Sequence, residues 1–198
     1  MRSAASEYPQ EHYFSETNGI SFSDLDSFLR TRKGIVQAVA ITGGEPCFYP
    51  RIHELISLLR MHNLRIKIDT NGLHPDVLRT LNCDYIAMDI KTDPEKYGLL
   101  GGNNADCGTR VKKSIEYVRT SGIAHEFRTT IVPGIVDLKD ILTIAELVHS
   151  CSNWYLQQFN PKTTLDKKYM DYKPYSLSEM RNFQYAAQKI APNCRLRN

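Results

Sequence analysis

The sequence has 198 residues, 41% of them hydrophobic and 24% charged, with a formal net charge of +3. This length suits one domain with a real core, and so small and dispersed a charge argues against nucleic acid as a main partner. No apolar run approaches a membrane span and the amino terminus has no signal-like apolar stretch, so a cytoplasmic protein is expected.

Residues 1–20 read as an irregular polar lead-in, and 21–198 as one domain. Leu25, Phe28 and Leu29 mark a first helix, capped by Ser23 and stopped near Gly34. Apolar, β-branched runs then predict strands at 36–42, 64–69, 85–90, 125–132 and 154–159. Between them, Ile52, Leu55, Ile56 and Leu59 fall at helical spacing, as do Val111, Ile115 and Val118, and Leu138, Ile141, Leu142 and Ala145. Ser176 and Glu179 form a capping box ahead of Met180, Phe183, Ala187 and Ile190. About five strands alternating with six helices give parallel βαβ units, as a doubly wound sheet or an open barrel. In either architecture the site forms at the carboxyl ends of the strands.

That rule selects three turns. After the first strand comes Thr42-Gly-Gly-Glu-Pro46, whose glycines admit a ligand close to the backbone while Glu45 offers an acceptor for an ammonium. The bland alternative is an ordinary strand-to-helix turn. After the second comes Asp69-Thr-Asn-Gly72, where an acidic residue ending a buried strand needs a partner or a ligand. A helix cap would also explain it. The third strand ends in Asp89-Ile-Lys91, two residues on one side of the chain. They could clamp a zwitterion, or simply pair with each other. The five cysteines (Cys47, Cys83, Cys107, Cys151 and Cys194) have neither metal-ligand nor redox spacing.

Taken together, Thr-Gly-Gly-Glu-Pro, Asp-Thr-Asn-Gly and Met-Asp-Ile-Lys on successive strands resemble the radical-SAM activating enzymes of glycyl-radical proteins. The likeness runs from about Ser21 to Arg197 and is greatest to activators of anaerobic ribonucleoside-triphosphate reductase, then to those of pyruvate formate-lyase. It implies a partial (β/α)6 TIM-like barrel that binds S-adenosylmethionine. By resemblance, Gly43, Gly44 and Glu45 hold the methionyl amino group, and Asp69, Thr70, Asp89 and Lys91 surround the carboxylate. A monovalent cation is implied at Asp69, Thr70, the Ala87 carbonyl and Asp89. Arg128 and the Val132-Pro-Gly134 turn resemble later strand ends, and Gln157 and Gln158 lie where the adenosine end would be. Cys47 stands where threonine is common and is not expected to be a ligand. The implied partners are a glycyl-radical enzyme and an electron donor such as flavodoxin or ferredoxin.

One family feature is missing. The resemblance calls for a first strand and a Cys-x-x-x-Cys-x-x-Cys loop before the first helix, holding a [4Fe–4S] cluster that cleaves S-adenosylmethionine to a 5′-deoxyadenosyl radical. No cysteine precedes Cys47, so the cluster is not expected in this chain, and the barrel is expected to lack its first strand. Two readings follow: an amino-terminally truncated activase, or a degenerate, cluster-free module that binds S-adenosylmethionine or a partner. A third keeps the barrel but makes it another radical-SAM enzyme, such as a deazaguanine synthase.

Overall fold

Along the second strand Ile66, Ile68 and Thr70 are buried while Lys67 and Asp69 between them are half-buried, the two-residue period of a strand with unlike faces. The computed structural model describes residues 19–100, 106–164 and 167–197. Within them, β1 (Ala38–Ile41), β2 (Arg65–Thr70), β3 (Tyr85–Asp89), β4 (Ala124–Ile131), β5 (Trp154–Gln158) and β6 (Cys194–Arg197) make one sheet. All its pairings are parallel, in the order β1-β2-β3-β4-β5-β6. Sequential parallel strands linked by helices give a partial TIM-like barrel that is left open. Among the described residues β1 is an edge with β2 as its one neighbour. The five expected strands are present. β6 was not expected, because a four-residue run with two arginines carries little apolar signal.

The helices are α1 (Phe22–Thr31), α2 (Ile52–Met61), α3 (Pro75–Leu78), α4 (Cys107–Thr120), α5 (Leu138–Val148) and α6 (Leu177–Gln188). The cap of α1 is Ser21, not Ser23: its hydroxyl accepts from the Asp24 amide at 3.1 Å, which places Ser23 inside the first turn. The capping box of Ser176 and Glu179 forms as expected, and Asp137 with Asp140 makes a second on α5. The four-residue α3 lacks the length for a periodic signal. No helix among the described residues is long and apolar enough to cross a membrane.

The core lies between the sheet and its helices. Ile68, Ile86, Met88, Phe127, Ile131 and Leu156 point into it and are fully buried, each contributing roughly 1.5–3 kcal/mol by leaving water. Trp154 joins them, its indole N–H donating to the Thr129 hydroxyl at 3.1 Å, so neither buried polar group is orphaned. The opposite face of the sheet is unlike this one, and it carries the candidate site.

Candidate functional site

The turn after β1 is braced to the end of β2 by one carboxylate. Glu45 Oε1 accepts from the Thr70 hydroxyl at 2.7 Å and the Cys47 amide at 3.1 Å, and Oε2 from the Asn71 amide at 2.7 Å. The Thr70 oxygen accepts in turn from the Gly72 amide at 3.1 Å. Gly43 has φ +117°, a backbone region that favours glycine. A Cβ built on Gly43 or Gly44 meets nothing within 4 Å, so this stretch of backbone faces open space. Burial pushes the Cys47 thiol pKa well up, with Glu45 adding to the shift, and a buried, protonated thiol is a poor ligand.

Across the open face, side chains two residues apart on neighbouring strands form a charged ladder. Arg128 on β4 lies opposite Asp89 on β3 in the pairing register, and its Nε donates to Asp89 Oδ1 at 2.7 Å. Lys91 Nζ donates to Asp89 Oδ2 at 2.9 Å. Arg128 Nη1 is 3.6 Å from Asp69 Oδ2 and 3.9 Å from Glu126 Oε1. Among the described residues the terminal nitrogens of Arg128 make these ion-pair contacts but no hydrogen bond. Asp69 Oδ1 lies 2.9 Å from Lys67 Nζ, out of line for a hydrogen bond, and is left buried without one. Further along, Glu126 accepts a two-pronged pair from Arg197, both contacts 2.9 Å, and a third bond from the Tyr85 hydroxyl at 3.2 Å.

Burial alone would raise the pKa of Asp89, but Lys91 and Arg128 outweigh it and hold the carboxyl below its ordinary value. Glu126 is likewise held low against its burial by Arg197. For Arg128, burial is opposed and overcome by Asp89, Asp69 and Glu126, which push its pKa up. The ladder therefore sets four cations (Lys67, Lys91, Arg128, Arg197) against three carboxylates (Asp69, Asp89, Glu126). One positive charge in excess, beside an unbonded guanidinium fork, suits a carboxylate ligand.

Of the residues expected at the site, Asp69, Asp89, Lys91 and Arg128 are brought together. Gly43 and Gly44 lie exposed on the β1 turn. Glu45 and Thr70 are engaged with each other, and the Thr70 side chain faces the helices, away from Asp69. A cation held jointly by Asp69, Thr70 and Asp89 does not fit this arrangement, since Thr70 is turned away and the Arg128 guanidinium lies between the two carboxylates. Gln158 is at the rim, its amide donating to the Tyr175 carbonyl at 2.7 Å. With Gln157, Asn160, Pro174 and Arg197 it lines a cleft of about 500 Å³. Lys67, Glu126 and Arg197 were missed. The signal for two of them was legible, because Lys67 and Glu126 alternate with apolar residues two positions before Asp69 and Arg128.

The sequence profile of the Radical SAM superfamily matches residues 23–148. The chain belongs to the radical SAM superfamily. Over 195 residues it is 30% identical to a Methanocaldococcus jannaschii protein, MJ1227, provisionally named as a glycyl-radical enzyme activating enzyme. That match covers 94% of this chain and 79% of the relative. A second protein of the same organism and the same provisional name, MJ1632, is 32% identical over 124 residues, covering 60% of this chain and 46% of the relative. Among solved structures, Streptococcus suis SuiB bound to S-adenosylmethionine superposes with a TM-score of 0.67 at 17% identity, over 91% of this chain and 44% of SuiB. The chain thus spans less than half the length of SuiB and of the second relative, and the SuiB likeness speaks for the radical SAM fold alone.

The superfamily implies S-adenosylmethionine and a [4Fe–4S] cluster. For the first, the open backbone at Gly43 and Gly44 and the Arg128 guanidinium, whose terminal nitrogens make no hydrogen bond among the described residues, fit an amino-acid head group. For the second, the residues do not fit. All five cysteines are among the described residues, and no three His, Cys, Asp or Glu side chains there converge to hold a metal. Burial raises the thiol pKa of Cys83 and Cys151 to about 11 and of Cys194 to about 12.

Proposed function

We propose that this chain is the S-adenosylmethionine-binding part of a glycyl-radical enzyme activating enzyme, with the methionyl end of the ligand held on the charged ladder. The carrying observation is the Arg128 guanidinium, anchored through Nε on Asp89 while its terminal nitrogens make no hydrogen bond among the described residues. Those nitrogens and Lys91 receive the ligand carboxylate, a planar fork meeting a planar anion. Asp69 and the backbone of Gly43 and Gly44 receive the ammonium. Glu45 and Thr70 act from behind, fixing the β1 turn against β2 so that the glycine backbone stays at the rim. Gln157 and Gln158 border the cleft offered to the adenosine end. When bound with its cluster in this superfamily, S-adenosylmethionine supplies radical chemistry, and the protein's part is to bind, orient and exclude water.

These cysteines do not form a ligand set for a cluster. In the activase reading the cluster cysteines belong to a segment outside these 198 residues. The target is then a backbone glycine of a partner enzyme of the anaerobic ribonucleotide reductase or pyruvate formate-lyase type, with flavodoxin or ferredoxin as electron donor. The scattered cysteines, of which Cys47, Cys151 and Cys194 are buried, favour a second reading, a cluster-free module that binds the ligand or the partner. A Cys-x-x-x-Cys-x-x-Cys sequence in any frame of the adjoining upstream DNA supports the first, and its absence from all three supports the second.

Ligand-observed NMR with S-adenosylmethionine tests the site in either case. Asp89→Ala and Lys91→Ala are expected to weaken binding by about tenfold or more, as for loss of one member of a hydrogen-bonded charge pair. Lys113→Ala, on the exposed face of α4, leaves it unchanged. Equal binding by all three would make the Asp89–Lys91 pair structural and the assignment wrong.

A further inference from the structure

We infer that Arg197 is a positioning residue for the ligand fork, acting through Glu126 to keep Arg128 aimed at the strand-end rim. This rests on the proposed role of Arg128 in holding the ligand carboxylate. Glu126 and Arg128 are two apart on β4 and so lie on the same face. Glu126 is 6% exposed and Arg128 Nη1 is 3.9 Å away. A buried carboxylate needs charge-assisted partners, and an unopposed one at this distance would draw the guanidinium down the strand, away from Asp89. Arg197 prevents this by occupying both Glu126 oxygens, at 2.9 Å each. Arg197 is itself fixed, its guanidinium carbon 3.8 Å from the centre of the Tyr155 ring, a stacking geometry that orients the fork. Tyr85 adds one more donor to Glu126.

The consequence is a chain of command across the open face. Arg197 on the last strand holds Glu126, Glu126 so held does not compete for Arg128, and Arg128 is left to Asp89 and the rim. A residue on β6 thereby sets the geometry of a site built on β3 and β4. Lys67, whose charge also acts on Glu126, is paired with Asp69 and lies 6.0 Å from the Tyr85 ring centre. It does not substitute for the two-pronged pair.

A merely structural role, pinning β6 to the sheet, makes a different forecast, and a double-mutant cycle separates the two. Binding of S-adenosylmethionine is measured for the parent, Arg197→Met, Glu126→Gln and the double variant, with Arg197→Lys as the conservative control. Arg197→Met is expected to weaken binding about tenfold, in the range seen for coupled charged neighbours. Glu126→Gln alone is expected to weaken it less than Arg197→Met does, and the double variant returns to within about threefold of Glu126→Gln, because the competing carboxylate is gone. Arg197→Lys restores part of the loss. A double variant that binds no better than Arg197→Met, with all variants folded, overturns the inference.

A second readout is independent of the ligand. The Arg128 Nε–H resonance in the 15N spectrum is expected to shift in Arg197→Met and to return in the double variant, as its bond to Asp89 is lost and remade. If the parent binds no S-adenosylmethionine, the ligand reading fails and this resonance alone decides the positioning. An unmoved resonance in Arg197→Met sinks it.

Discussion

The two faces of the sheet are built from the same strands by opposite rules. On the helix side Ile68, Ile86, Met88, Phe127 and Leu156 are sealed from water. On the other side Lys67, Asp69, Asp89, Arg128 and Arg197 are partly exposed and, with the buried Glu126, joined by ion pairs at 2.7–3.9 Å. Parallel sheets are usually apolar on both faces because both are covered. Here one face is apolar and sealed while the other carries the charged ladder, and a single residue step along β2 or β4 moves from one to the other. Substitutions on the first face should therefore be felt in folding, and on the second, under the proposed function, in ligand binding.

Core truncation should have the largest effect. Phe127→Ala, at a fully buried position, is expected to cost about 3–5 kcal/mol of unfolding free energy. Lys67→Ala, on the opposite face of the sheet, should cost under about 1 kcal/mol, as for partly exposed ion pairs. Urea unfolding of the pair checks the contrast, and equal losses would break it.

Thr70 sharpens the comparison, because it sits beside Asp69 yet belongs to the buried side. Thr70→Val removes the donor to Glu45 and the acceptor for the Gly72 amide. With that amide left unsatisfied, the loss should be about 1–3 kcal/mol. Asp69→Asn should unfold nearly as the parent does and show its effect in ligand affinity.

A smaller effect concerns acid. Asp89 and Glu126 have depressed pKa values in the folded chain, so their contribution is fully present above the ordinary carboxylate range. It is lost as pH falls through the folded-state values. The stability gap between the parent and Asp89→Asn should therefore be constant near neutrality and narrow below about pH 4. Denaturation midpoints measured from pH 7 to pH 3 check this. A gap that widens on acidification would mean that Asp89 is not held ionised by Lys91 and Arg128.

The sequence carried much of this, though unevenly. Strand runs such as 85–90 and 125–132 announced themselves by their apolar and β-branched residues, and the ends of β1, β2 and β3 carried the motifs that located the rim. β6 was illegible because Arg195 and Arg197 interrupt a run of only four residues. The division of labour within Asp69-Thr70 was equally hidden. Adjacent residues face opposite sides of a strand, and only the fold shows that Thr70 meets Glu45 while Asp69 meets Arg128. Arg197 was out of reach for the same reason, since its partner Glu126 lies 71 positions earlier.

Recognition of the S-adenosylmethionine carboxylate by Arg128 and Lys91 on the open face is the core of the proposed function. Its most direct test is to compare calorimetric affinities for S-adenosylmethionine and its decarboxylated analogue, which keeps the sulfonium, amine and adenosine. The parent should bind the full ligand about tenfold or more tightly, the value of one charge-assisted contact, and that preference should vanish in Arg128→Met. Equal affinity of the parent for both ligands would contradict the account.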